Sequence, residues 1–333
     1  MTNTMPRKIT PLALLLLLVA ALAAGCGGDG RGGDDEASDE TTTEESGSGL
    51  SGRIQADGSS TVGPFTTAAA ESFRAVEPDV QITVGVSGTG GGFERFCRGE
   101  TDLSNASRAI DDDEAQICAD AAIEYTEFQV ANDALTVVVN TENDWVDCLT
   151  VDQLNAIWKP GSKVDSWSDV DPSFPDEGLA LFGPGTDSGT FDYFTDAING
   201  EEGASRSDYA ASEDDNTIVT GVSGETGGLG YFGFSYYEEN QDTLKALAID
   251  NGDGCIEPSV ENAQNGTYAP LSRPLFVYAK NESFARPEVE AFVGYALENE
   301  TEIAEASQFV PLTDEQLEQA QNDFDAAVEA AAS

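Results

Sequence analysis

Hydrophobic positions along residues 53–332 change period repeatedly, and each change predicts an element. Residues 53–55 read as an opening strand. Phe65, Ala68, Ala69, Phe73 and Val76 then recur every three or four positions, the spacing of one helical face. Val80, Ile82 and Val84 alternate with polar neighbours, the period of a strand with one buried side. A glycine-rich turn leads from there into a short helix carrying Phe93, Phe96 and Cys97. Strand, turn and helix thus occur twice in succession.

The later chain continues the alternation. Residues 134–140 form a β-branched run of the kind that lies buried on both faces of a sheet. Thr150-Val-Asp-Gln153 is a capping box, each side chain satisfying the other residue's backbone N–H, and it predicts a helix closing at Trp158. Residues 179–182 predict a strand, and residues 183–190 turn into a helix with Phe191, Phe194 and Ile198 on one side. Strands are expected at 231–234, 244–249 and 275–278. Pro287 is placed to begin a helix whose inner face holds Val289, Phe292, Val293, Ala296 and Leu297. An acidic helix over 315–332 closes the chain. Strands alternating with helices predict α/β architecture, and no internal repeat is found.

Three clusters of small and hydroxyl residues sit just ahead of helices: Asp57-Gly-Ser-Ser-Thr61, Ser87-Gly-Thr-Gly-Gly-Gly92 and Gly185-Thr-Asp-Ser-Gly-Thr190. A helix N-terminus presents free N–H groups and the positive end of the macrodipole, and glycine lets an anion approach the backbone. Any one cluster is also what an ordinary cap or turn is made of. Three converging would enclose a small oxyanion. The middle cluster lacks the glycine spacing and the ribose-binding acid of a dinucleotide site, and no Gly-Lys-Ser or Gly-Lys-Thr is present for a nucleotide loop. Arg108 is the cation placed in the site, since a planar guanidinium grips two oxygens at once. A surface salt bridge would use the same residue. Arg273, in Pro270-Leu-Ser-Arg-Pro274, is a second candidate, closer to hinge support.

Charge changes the picture of partners. The chain has 15 Lys and Arg against 62 Asp and Glu, a net charge of −47. Such a surface excludes nucleic acid and anionic membrane surfaces as partners. It suits a protein kept soluble in concentrated salt, where screening mutes self-repulsion. There is no histidine, so Ser-His and Cys-His catalytic pairs are excluded. No catalytic residue, metal or cofactor is assigned, and with 62 acids no single carboxylate pair is informative.

The N-terminus bears on compartment. Arg7 and Lys8 precede an apolar run over 11–24, and Ala23-Ala24-Gly25 stands directly before Cys26. That is the order of a secretory signal, and the run falls short of the ~20 residues needed to span a bilayer. The junction resembles a bacterial lipobox. Residues 1–25 are thus expected to be removed, Cys26 to carry lipid, and the protein to be anchored to the outer face of the cell membrane. Removal takes two cations and no acids, leaving 13 − 62 = −49. After Cys26, residues 27–49 are only Gly, Ser, Thr, Ala, one arginine and acidic residues, which cannot repay ordering, so 26–49 reads as a tether. The body of about 280 residues suits two domains. The remaining cysteines, Cys97, Cys118, Cys148 and Cys255, lie in an oxidising compartment and allow three pairings.

Read in order, Gly58-Ser-Ser-Thr-Val62, Gly88-Thr-Gly-Gly-Gly-Phe93, the stretch from Asp102 to Ile110, Asp187-Ser-Gly-Thr-Phe-Asp-Tyr-Phe194, Gly230-Tyr-Phe-Gly233 and Pro270-Leu-Ser-Arg-Pro-Leu-Phe276 resemble the phosphate-binding component of phosphate ABC transporters. The resemblance covers Ile54 to about Leu312. It implies a two-lobed type II periplasmic-binding-protein fold, each lobe a mixed sheet flanked by helices, joined by two crossover strands. Lobe 1 would comprise 50–129 plus 267–333, and lobe 2 would comprise 130–266. That division favours Cys97 with Cys118 and Cys148 with Cys255, because each bridge then stays within one lobe. It also implies an extracytoplasmic, monomeric receptor that delivers inorganic phosphate to a membrane permease.

The family's ligands map onto Ser60, Thr61 and Val62, onto Thr89 and Gly90, onto Ser107 with Arg108 beside it, and onto Ser188, Gly189 and Thr190. Two departures stand out. Family members place an acceptor aspartate where this chain has Ser107, and an arginine where it has Pro184. Asp187 and Asp57 are the nearest acceptors for a phosphate proton, with turn or cap duty as the alternative. Without such a carboxylate, sulfate or another tetrahedral oxyanion becomes a rival ligand. A phosphate-ester hydrolase on the same scaffold is a further alternative.

Overall fold

The computed structural model describes residues 49–332; the signal segment expected over 1–25, Cys26 and the tether as far as residue 48 lie outside the described residues. β1 (Gly52–Gly58) leads to α1 (Gly63–Val76), β2 (Val80–Val84) to α2 (Thr89–Cys97), and β3 (Leu103–Ala106) to α3 (Asp112–Asp120). After β4 (Tyr125–Asn140) come β5 (Cys148–Thr150), α4 (Val151–Trp158), α5 (Trp167–Val170), β6 (Ala180–Pro184), α6 (Gly189–Asn199), β7 (Ala210–Ser212) and α7 (Asp215–Gly224). β8 (Gly228–Gly233), α8 (Phe234–Glu239), β9 (Leu244–Ala246), β10 (Ala248–Asp250), β11 (Cys255–Ile256) and α9 (Val260–Gln264) follow. The chain returns through β12 (Ser272–Lys280) and a 3-10 turn (Asn281–Ala285) to α10 (Pro287–Glu298), α11 (Glu300–Ala306) and α12 (Asp314–Ala331).

One mixed sheet runs β2-β1-β3-β12-β4-β8-β6-β7, with β9 also on β4, and a small sheet has the order β11-β10-β5. β1 is parallel to β2 and β3, and β6 is parallel to β7 and β8, so within each half the strand-turn-helix units place their turns at the same, carboxyl, ends of the strands. β4 ties the halves together. Its residues up to Ala134 pair antiparallel with β12, and from Leu135 to Val139 they pair with β8. The cores change over at the same place: Ala131 and Leu275 belong to a core with Phe65, Phe73 and Phe292, while Leu135 and Leu271 belong to one with Trp158, Phe194 and Tyr231. Phe73 meets Phe292 edge-on at 5.5 Å, and Phe194 stacks on Tyr231 at 3.7 Å. Each buried ring contributes roughly 1.5–3 kcal/mol by leaving water.

Both expected disulfides form. Cys97 to Cys118 fastens α2 to α3, and Cys148 to Cys255 joins the two strands that flank β10.

The helix expected to close at Trp158 does so, opened by the Thr150 and Gln153 capping box. Three strands differ from expectation. The run at 134–140 is only the end of a 16-residue strand, because Asn132 and Asp133 interrupt the apolar pattern yet are buried by partners. Asn132 exchanges backbone hydrogen bonds with Val310, and Asp133 meets Arg273. The strand expected at 231–234 is Gly228–Gly233, with Phe234 opening a helix. The run at 244–249 divides at buried Leu247, so that β9 joins the large sheet and β10 the small one.

Candidate functional site

The first cluster is shaped at the end of β1. Gly58 has φ 140°, and a Cβ there would collide with the Asn105 carbonyl, so only glycine allows β1 to leave the sheet at this point. Ser59 then folds the turn back on itself: its Oγ accepts from the N–H groups of Thr61 (3.2 Å) and Val62 (3.4 Å). Asp57 is also committed to this turn. Its carboxylate is nearly buried, accepts from Gly58 N and Ser87 Oγ at 2.7 and 2.8 Å, and pairs with Arg95.

The second cluster enters α2 through Gly88 at φ 78°. The first N–H groups of such a helix have no intrahelical acceptor, so Thr89 and Gly90 present donors to the cavity they line. The turn after β3 brings Ser107 against Thr89: the two hydroxyls are 3.0 Å apart, and Ser107 N donates to Thr89 Oγ1 at 3.3 Å. Arg108 follows, with its side chain 41% exposed. Glu114 receives it in a fork, at 2.7 Å from Nη1 and 2.8 Å from Nη2, and Asp111 stands 3.2 Å away. The Glu114 hydrogen bond raises the Arg108 pKa further. Burial pushes Glu114 up, but Arg108 and the Asp111 N–H together hold it below its ordinary range.

The third cluster opens α6. Ser188 caps the helix by accepting from Thr190 N at 3.2 Å, and Gly189 lies directly against Thr61. Asp187 is exposed, its N–H directed at Glu213. One turn into the helix, Asp192 and Tyr193 face the cavity. Burial raises the Asp192 carboxyl, Glu202 adds to the rise, and Arg273 and the Ser60 hydroxyl, which donates to it, oppose it.

Arg273 enters from β12. Its Nη2 donates to Thr61 Oγ1 at 3.0 Å, its Nε donates to Asp133 Oδ2 at 3.2 Å, and its guanidinium carbon lies 3.5 Å from the centroid of the Tyr193 ring. Burial pushes the Asp133 carboxyl up, and Arg273 draws it back. The cleft between these walls has a volume of about 590 Å³.

Ser60, Thr61, Thr89, Gly90, Ser107 and Arg108 all line that cleft, together with Arg273. Gly189 and Thr190 line a smaller cavity of about 150 Å³ that shares Ser60 and Thr61 with it. Val62 is fully buried behind the turn, and Ser188 serves the α6 cap. Neither Asp57 nor Asp187 lines the cleft; the acids that do are Asp192, Asp196 and Glu202. The sequence pattern gave no weight to Asp133 or Asp192. A polar pair, Asn132 and Asp133, set between apolar stretches of one strand is the available signal for the first.

A family model described as a PBP superfamily domain matches residues 38–300. The chain is 49% identical to Protein SphX of Synechococcus elongatus over 262 residues, covering 78% of this chain and 77% of that protein. It is 39% identical to the phosphate-binding protein PstS of Staphylococcus saprophyticus, covering 84% of this chain and 86% of that protein. The crystal structure of a possible phosphate binding protein from Planctomyces limnophilus superposes with a TM-score of 0.81 at 46% identity, covering 84% of this chain and 99% of that one. Matches of this extent in sequence and in fold make the chain a member of the PBP superfamily and, within it, of the PstS-type phosphate-binding proteins, with their type II fold.

Proposed function

We propose that the cleft captures inorganic phosphate and that the protein delivers it to the permease of a phosphate ABC transporter, performing no chemistry itself. The observation that carries this reading is the convergence of Ser60, Thr61, Thr89, Gly90 and Ser107 on one cavity beside Arg108 and Arg273. Hydroxyls, first-turn amides and guanidinium groups are all donors, and only an oxyanion satisfies them together. In this reading Ser188, Gly189 and Thr190 close on the ion from the α6 side. Lobe 1 (50–129 plus 267–333) and lobe 2 (130–266) move as bodies about the β4 and β12 crossing. The receptor acts as a monomer, held to the outer face of the membrane by lipid on Cys26, in a salty habitat.

One observation favours a second ligand. Neither Asp57, already bound to Arg95 and Ser87, nor exposed Asp187 is available to accept a proton from hydrogen phosphate. With these two committed elsewhere, and Asp192 on the wall already accepting from Ser60, a cleft rich in donors also suits sulfate, which carries no proton. Calorimetric titration in molar salt decides: phosphate bound with sulfate ignored supports the proposal, equal binding of both favours a general oxyanion receptor, and binding of neither defeats it.

A further inference from the structure

The cleft contains two arginines, and their surroundings differ. Arg108 is at the rim, both terminal nitrogens held by Glu114 and its charge met again by Asp111. Arg273 is on the floor, its side chain 18% exposed against 8% for Asp133. Its guanidinium is stacked on Tyr193, and its Nε and Nη2 share one oxygen of Asp133, Oδ2. Among the described residues Nη1 has no hydrogen-bond partner, and Nη2 already points at Thr61, a turn residue of the first half. Arg273 and Asp133 face each other in the β4 and β12 register, two residues before Leu135, where β4 changes partner to β8. A single guanidinium therefore touches a turn of the first half, the strand crossing, and a helix of the second.

We propose that Arg273 is the cation that grips the bound anion, and that Asp133 is the positioning residue and counter-charge that holds its guanidinium in aim. This rests on the anion-capture reading of the cleft. A guanidinium with one free nitrogen, stacked and pinned at its other edge, meets an oxyanion at little cost in side-chain ordering. Arg108 would first have to leave two carboxylates. Asp133 shares the Arg273 charge with any arriving anion, so it restrains affinity while it keeps the cation from standing buried and unpaired.

The test is calorimetric titration with inorganic phosphate, beside thermal melts with and without phosphate, on the full chain and four variants. Arg273→Gln should lose about a hundredfold or more in affinity and Arg273→Lys about tenfold or more, while Arg108→Gln loses less than Arg273→Lys does. Lysine keeps the charge opposite Asp133, so Arg273→Lys decides the matter if the glutamine variant does not fold. Asp133→Asn should melt lower alone, bind phosphate at least about threefold tighter, and gain more from phosphate in its melt than the unaltered protein does. A merely structural Asp133 would weaken binding in step with stability. Arg273→Lys binding like the unaltered protein, or Arg108→Gln losing tenfold while Arg273→Lys does not, overturns the assignment. An unaltered protein that ignores phosphate overturns instead the reading on which it rests.

Discussion

Thr61 and Gly189 meet across the junction of the two halves: a Cβ placed on Gly189 would lie 3.0 Å from Thr61 Oγ1 and 3.2 Å from its Cα. They stand at the starts of different helices, α1 and α6, carried by opposite ends of the sheet. The approach is close because glycine presents only hydrogen there. An alanine would be met by a shift of a few tenths of an ångström, whereas a branched side chain would hold the turns apart. Gly189→Val is therefore expected to weaken phosphate binding about tenfold or more while lowering Tm by less than about 4 °C. Calorimetry beside a thermal melt checks both. Unchanged affinity would mean that the two turns do not act on one ion.

The disulfides close loops of unequal length. Cys97 and Cys118 are 21 residues apart and Cys148 and Cys255 are 107 apart. Loop-closure entropy assigns about 3.3 kcal/mol to the first and about 4.8 kcal/mol to the second. Replacing the Cys148 and Cys255 pair by serine should then lower stability by about 1 kcal/mol or more beyond the Cys97 and Cys118 replacement. Chemical denaturation of the two double variants, compared at equal slope, measures the difference; the reverse order would assign the larger effect to local packing around α2 and α3.

How far the sequence carried the fold and the site follows from which residues obey its periodicities. Amphipathic faces such as Phe65 to Phe73 and capping boxes such as Thr150 with Gln153 are local, and they were legible. β4 was half hidden because Asn132 and Asp133 are polar residues in a buried strand, acceptable only through partners at Val310 and Arg273 that lie far away in sequence. Leu244 to Ile249 read as one strand because nothing in the run marks a change of sheet at Leu247. In the site, hydroxyl clusters ahead of helices point to Thr61 and Thr89, whereas Ser107 is reached only through the family resemblance. Spacing could not rank Arg108 against Arg273, because what separates them is the company of Glu114 and Asp111 on one side and of Asp133, Tyr193 and Thr61 on the other.

Asp215, at the start of α7, has its pKa pushed up to about 6 by burial, with Asp214 and Glu213 adding repulsion. An unfolded aspartate titrates near 3.9. Between about pH 4 and 6 the folded protein thus holds a proton that the unfolded chain has released, so this group favours folding at low pH and its contribution is lost as pH rises through the folded pKa. Asp215→Asn removes the charge. The variant should match the unaltered protein in Tm at pH 4 and exceed it at pH 7, with the gap opening between those values. A gap of the same size at both pH values would assign it to packing instead.

The acidic surface yields the last expectation. α12 alone carries Asp314, Glu315, Glu318, Asp323, Asp325 and Glu329 with no lysine or arginine, and Glu318 and Asp325 are both exposed, two turns apart on one side. At 0.1 M salt the screening length is ~10 Å, long enough for such charges to repel, and at 1 M it is ~3 Å, too short. Tm should therefore climb between 0.1 M and 1 M sodium chloride and flatten above, whereas preferential exclusion would keep raising it with concentration. The double substitution of Glu318→Gln and Asp325→Asn isolates the cause. Removing two like charges should raise Tm in 0.1 M salt and leave it unchanged in 1 M, because salt has by then already removed the repulsion that the substitutions relieve; an equal rise at both salt concentrations would instead place the effect in the intrinsic helix preference of the new side chains.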